Sequence, residues 1–257
     1  MYYKAEAKYF FLFLSFIFIC LGCENLKPDR EYRVIAHRGF WNIEGSSDNS
    51  LASLREAVRL GVDGVEIDIY PTKDDSLLVV HGPKHGGFFI ADATYSTLRE
   101  IHLSNGEVVP TLTEYLSCVK RYPEITLFIE LKSSRLVEEV VKKIVVSGIH
   151  NHVYYMSFIL NVCKELLYID SSLEVLYLGS NLEPEVLKEL HLAGFNYDIN
   201  VLKKNPDWVK RATDCGLITN AWVVKYESEL IWCATHHLDY ITTDIPVQAK
   251  SFLSEYE

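Results

Sequence analysis

Short apolar runs rich in β-branched residues recur along most of this chain, and stretches of helical period separate them. The runs predict strands over residues 34–37, 65–69, 77–81, 126–131, 153–157, 175–178, 197–200, 219–224 and 240–243. Between them, residues 51–60 place Leu51, Leu54, Ala57 and Val58 on one helical face. Residues 136–147 do the same with Val137, Val140, Val141, Ile144 and Val145. Further helices are predicted over 160–169, 183–193, 206–215 and 227–237. Asn205-Pro206-Asp207 sets a proline in the first turn of one of them, where its missing N–H costs nothing.

Strands that are apolar on both faces and alternate with helices imply a parallel sheet covered on its outside. About eight such units predict an α/β fold closed as a TIM (β/α)8 barrel, and no Gly-rich fingerprint of an open dinucleotide-binding sheet follows the first strand. The run 77–81 comes too soon after 65–69 to be a separate unit. Across the turn Lys73-Asp74-Asp75 it reads as a bent or hairpin continuation. Residues 82–109, rich in Gly and polar side chains, then form a short insertion over the barrel mouth.

The length of 257 residues suits one barrel, and no repeat or second domain is visible. A formal charge of −10 excludes broad electrostatic binding to nucleic acid or to anionic membranes. It leaves room for an anionic small molecule, because a bound divalent ion reverses the local field. The first residues read as targeting. Lys4 and Lys8 precede an apolar run over 9–22, too short to span a bilayer. Cys20-Leu21-Gly22-Cys23 then resembles a bacterial lipobox, with Cys20 in place of the usual aliphatic residue. The expected division is a lipoprotein signal peptide over 1–22, a tether over 23–30 and the barrel domain over 31–257. An exported envelope protein anchored by lipid at Cys23 follows. Cys118, Cys163, Cys215 and Cys233 lack disulfide or CxxC spacing and are expected as buried free thiols.

Candidate chemistry gathers at predicted strand ends, where barrel enzymes keep their active groups. Glu66 and Asp68 stand two apart on one strand and so share a face, and Glu130 closes a neighbouring strand. Three carboxylates suit one hard divalent cation, Ca²⁺ or Mg²⁺. His37 and His81 are candidates for proton donor and acceptor. Arg38 offers a planar fork to phosphate oxygens and Lys132 a compact second charge, unless each is spent on the acids. Trp222 is either a wall for the substrate or a core residue. The other histidines (85, 102, 150, 152, 191, 236 and 237) lack such company and read as surface or packing residues, His85 being the one to watch because it sits in the Gly-rich insertion.

With His37-Arg38-Gly39, Glu66-Ile67-Asp68, His81 after Val79-Val80, and Glu130-Leu131-Lys132, the chain resembles the glycerophosphodiester phosphodiesterase family. Asp48-Asn49-Ser50, Ser157-Phe158, Asn220-Ala221-Trp222-Val223-Val224 and Ile241-Thr242-Thr243-Asp244-Ile245-Pro246 extend the likeness over residues 33–247. The resemblance implies a TIM barrel with an insertion after the second strand. It implies hydrolysis of glycerophosphodiesters to sn-glycerol 3-phosphate and an alcohol. By the same analogy Glu66, Asp68 and Glu130 hold the cation, His37 and His81 are the acid–base pair, and Arg38 and Lys132 contact the phosphate, with Asp48 and Trp222 beside the substrate. Two positions depart from the family pattern. Ser47-Asp48-Asn49-Ser50 stands for Pro-Glu-Asn-Thr, and Gly82 for the usual Asp after the second histidine. If that Asp is needed, the competing readings are another phosphodiesterase on the same scaffold, of lysophospholipase D or sphingomyelinase D type, or a lipoprotein that binds diesters without cleaving them. Headgroup and oligomeric state are left open.

Overall fold

The computed structural model describes residues 32–149 and 152–254. The expected signal peptide, tether and Cys23 lie outside these residues, as does His150. Eight strands form the barrel: β1 (Arg33–Ala36), β2 (Gly64–Pro71), β6 (Thr126–Leu131), β7 (Val153–Ser157), β8 (Val175–Tyr177), β9 (Gly194–Asp198), β10 (Ile218–Val224) and β11 (Tyr240–Thr243). All pair in parallel, and β1 closes the ring by pairing with both β11 and β2. Between β2 and β6 lie β3 (Leu77–Val79) and a small hairpin of β4 (Lys84–His85) and β5 (Phe88–Phe89). β3 runs antiparallel to β2, with Ile69 opposite Val79, so the chain turns back as the sequence reading expects.

Two hydrophobic layers follow from the period-two alternation of the strands. Ile35, Phe128, Met156, Leu176, Leu178 and Tyr240 fill the barrel interior, while the other faces of the strands pack against the surrounding helices. A third, smaller cluster seats the insertion through Leu78, Val80, Ile90, Leu98 and Val109. His85 belongs to this support, with its Nε2 2.7 Å from the Ile101 carbonyl oxygen.

Helices α1 (Leu51–Leu60), α4 (Val137–Ser147), α5 (Leu160–Ile169), α8 (Asp207–Asp214) and α9 (Glu227–Thr235) stand where their period places them. The helix expected over 183–193 is shorter, α6 (Pro184–Glu189), because His191 turns left-handed (φ 58°) and leads directly into β9. The strand expected over 197–200 is displaced. β9 begins at Gly194, where a Cβ would come within 2.0 Å of the Ile218 carbonyl oxygen and prevent close pairing with β10. Its apolar continuation becomes α7 (Ile199–Lys204), because the Asp198 carboxylate accepts the Asn200 N–H at 2.7 Å and starts a helical turn. Of the remaining helices, α2 (Tyr95–Leu98) lies in the insertion, and α3 (Leu112–Val119) opens on a capping box between Thr111 and Glu114. The last, α10 (Pro246–Ser254), ends the described chain. Cys118, Cys163 and Cys233 are buried free thiols as expected, and Cys215 is half-buried. Among the described residues, no helix is long and apolar enough to cross a membrane.

Candidate active site

Parallel register sets Asp68 of β2 directly beside Glu130 of β6. Glu66 lies one inward position earlier on β2, and all three carboxylates are buried. Their oxygens come within 4.8 Å of one another, a grouping that can hold one metal ion. Oxygen-only donors on rigid strands fit a hard divalent cation. The acids also have cationic neighbours. Lys132 Nζ sits 2.6 Å from Glu130 Oε1 and 2.9 Å from Asp68 Oδ1. Arg38, in the left-handed turn after β1 (φ 56°), donates its backbone N–H to Glu66 Oε2 at 3.0 Å.

Asp68 is the hub of the cluster. Besides Lys132 it faces Arg38 Nε at 3.5 Å and His81 Nδ1 at 3.3 Å. Asn49 holds it from the third side, donating from its amide to Oδ2 at 2.8 Å and accepting the Asp68 N–H at 3.1 Å. Burial alone would raise the carboxyl pKa. The His81 hydrogen bond and the Lys132 charge outweigh it and hold Asp68 below the usual range. Glu66 and Glu130 go the other way. Burial, with the charges of their fellow acids, raises Glu66 well above its ordinary value. Burial lifts Glu130 to about 7, against the pull of Lys132.

These shifts give a pH prediction. Between about pH 4.5 and 7, folded Glu130 keeps a proton that the unfolded chain has lost, and the raised pKa of Glu66 acts in the same sense. Stability of the metal-free protein therefore falls as pH rises through that window. Asp68 acts in the opposite sense at lower pH, where its stabilising charge is lost as pH falls. Because a cation must displace the proton retained on Glu130, its affinity is expected to weaken about tenfold from pH 8 to pH 6. Calorimetry with Ca²⁺ in buffers of different ionisation enthalpy reads the released protons directly. Affinity independent of pH would contradict this assignment.

The two candidate histidines sit on opposite sides of the acids in different settings. His37, 14% exposed, donates from Nδ1 to Asp244 Oδ1 at 2.7 Å, which leaves Nε2 facing Glu66 at 3.9 Å. Burial lowers its pKa, partly offset by Asp244, so the ring is neutral at pH 7 with Nε2 able to take a proton. His81, 40% exposed, reaches the cluster because β3 returns antiparallel beside β2. Its Nε2 accepts from Arg38 Nη2 at 3.0 Å, which puts its own proton on Nδ1, toward Asp68. Gly82 follows in a left-handed conformation (φ 86°) that favours glycine, with nothing within 4 Å of where a Cβ would stand. Asp68 and Arg38 orient the His81 ring without a carboxylate at position 82.

A cavity of about 330 Å³ opens beside these groups. His37, Arg38, Glu66, His81, Glu130 and Lys132 form its charged wall, and Phe158, its ring centroid 5.8 Å from Lys132 Nζ, meets Trp222 edge-to-face at 5.4 Å. Trp222 is therefore a cavity wall, with its buried Nε1 unpartnered among the described residues. Asp48 is not in the lining; it is half-exposed and reaches Arg38 Nη1 only at 4.0 Å. The neighbouring Asn49 makes the close contacts instead. Asn49 and Asp244, the partners of Asp68 and His37, were not singled out by the sequence reading although both lie inside the quoted motifs.

The sequence model of the glycerophosphoryl diester phosphodiesterase family matches residues 37–248. A glycerophosphodiester phosphodiesterase of Bacillus altitudinis is 26% identical over 251 residues, covering 87% of this chain and 98% of that protein. The crystal structure of a glycerophosphodiester phosphodiesterase from Parabacteroides distasonis superimposes with a TM-score of 0.85 at 36% identity, over 88% of this chain and 98% of that one. A phosphodiesterase of Oleispira antarctica, solved in complex with the product sn-glycerol-3-phosphate, shares the fold at a TM-score of 0.73 and 22% identity, covering 86% and 96%.

Proposed function

The chain belongs to the glycerophosphoryl diester phosphodiesterase family, and from that premise we propose that it cleaves glycerophosphodiesters to sn-glycerol 3-phosphate and an alcohol with His37 and His81 as its acid–base pair. The observation that carries this reading is the disposition of the two imidazoles. They flank one carboxylate cluster and one cavity, each held by a different partner, Asp244 for His37 and Asp68 with Arg38 for His81. The product held by the Oleispira antarctica enzyme supports the same substrate class.

In the proposed first step, His37 Nε2 takes the proton of the glycerol 2-hydroxyl as its oxygen attacks phosphorus. The bond from phosphorus to the alcohol oxygen breaks, and His81 returns a proton to that oxygen from Nε2, which carries a proton for this step once the Arg38 guanidinium has turned from it to the phosphoryl oxygens. Water then opens the cyclic phosphate with the two roles exchanged. Arg38 and Lys132, both on the cavity wall, are the donors for the phosphoryl oxygens. Glu66, Asp68 and Glu130 would hold one Ca²⁺ or Mg²⁺, which when bound supplies positive charge to the phosphate and acidifies the attacking hydroxyl. With His81 oriented without the family aspartate, Gly82 no longer favours a non-catalytic binder. We also propose that the protein works in the bacterial envelope, anchored at Cys23.

The test is release of sn-glycerol 3-phosphate from glycerophosphocholine by the chain from Glu24, with Ca²⁺, with Mg²⁺ and with chelator. Metal-dependent release is expected. Release that survives thorough chelation would remove the metal from the proposal. No release from diesters of choline, ethanolamine, inositol or glycerol would overturn the substrate assignment.

A further inference from the structure

One polar side chain in the cavity is left out of all the pairings above. Asn196, at the middle of β9, is 1% exposed and lines the cavity among Met156, Leu178, Trp222 and Thr242. Its amide nitrogen has only the Met156 sulfur, at 3.4 Å, and its carbonyl oxygen has no partner among the described residues. Thioether sulfur is a weak acceptor, so the group is badly served for its depth. Buried amides are seldom left so, because an unmade hydrogen bond leaves the desolvation of the group uncompensated. Thr242, the neighbouring hydroxyl, is different: it already accepts from the Asn220 amide at 3.1 Å. The orphaned capacity in this part of the cavity is that of Asn196 and of the Trp222 indole N–H.

Resting on the function proposed above, we infer that Asn196 is the specificity-determining residue for the glycerol half of the diester, binding the hydroxyl that does not react. A hydroxyl both donates and accepts, so it satisfies the amide in either orientation about its last torsion. An alkyl group offers nothing to it, and an anionic oxygen serves only the NH₂ end. The surroundings agree with a polyol end and not with the phosphate. Met156, Leu178 and Trp222 flank Asn196, while the cationic groups Arg38 and Lys132 stand with the acids. Asn196 lines the same cavity as His37, so with the 2-hydroxyl at His37 the remaining hydroxyl of glycerol is the group left for this amide.

Sites built to hydrogen-bond a hydroxyl discriminate strongly against analogues that lack it. Calorimetric titration of the full chain in detergent with sn-glycerol 3-phosphate and with 1,2-propanediol 1-phosphate tests the inference without a variant. The wild type is expected to bind the first about 10- to 100-fold more tightly. N196L is expected to bind the two equally, and N196D, which keeps an acceptor there, to retain part of the preference. Equal binding by the wild type overturns the inference, as does a folded N196L that still discriminates. Failure of the proposed function reads differently, as discrimination in binding with no diester hydrolysed.

Discussion

Replacing His37 with alanine is expected to lower kcat/KM for glycerophosphocholine by about 10³- to 10⁴-fold with little change in melting temperature. The ring sits at the rim of the barrel, so its loss leaves no large cavity in the core. What is lost is the ring's cavity-facing nitrogen, Nε2, whose lone pair is free to take a proton. The companion variant Asp244→Asn separates position from chemistry. It keeps the shape but removes the charge that raises the pKa of His37, leaving burial to lower it further. A base works only when unprotonated, so activity falls as pH drops through its pKa. The acidic limb of kcat/KM is therefore expected to move to lower pH in this variant, with a smaller loss at the plateau. A His37→Ala enzyme within tenfold of wild type would remove this residue from the chemistry.

The second large effect is expected at Glu66. Glu66→Gln should weaken Ca²⁺ or Mg²⁺ at least about 100-fold and abolish metal-dependent turnover at ordinary metal concentrations. The metal-free protein should become no less stable, and more stable at pH 8. Burial beside Asp68 and Glu130 makes the ionised Glu66 carboxylate costly, and glutamine presents a neutral oxygen to the Arg38 N–H in its place. Asp68→Asn is the contrast. Asp68 takes contacts from Lys132, Arg38, His81 and Asn49, and its pKa is held down, so removing its charge costs folded stability as well as metal. Thermal melts at pH 8 with and without Ca²⁺ distinguish the two. Equal destabilisation of the metal-free form by both would show that Glu66 is not under strain there. A function held at the expense of stability is what a cluster of buried like charges implies.

Both variants were identifiable before the fold was known, and the reason is local geometry. Residues two apart on a strand share a side whatever the rest of the chain does, so Glu66 and Asp68 converge from their spacing alone. The alternation of apolar runs with helical periods likewise led to the barrel, its return strand and the insertion, because each signal is carried within about ten neighbouring residues. Contacts made by closing the ring were not legible in that way. Asn49 meets Asp68 across 19 residues and Asp244 meets His37 across 207, and only the register of β1 with β2 and β11 brings them together. Whether Lys132 pairs with acids or stands free, and whether Asp48 or Asn49 faces inward, depends on side-chain packing between strands. Asn196 shows the limit most clearly. Its strand lies three residues earlier than the apolar pattern places it, because Gly194 admits the Ile218 backbone and Asp198 starts a helix. Residue types and spacing along the chain thus determined the family and most of the groups proposed to carry its reaction. Which atoms face one another, which proton each imidazole keeps and which amide is left waiting in the cavity were decided by non-local register, since hydrogen bonds are set by distances that only the closed barrel creates.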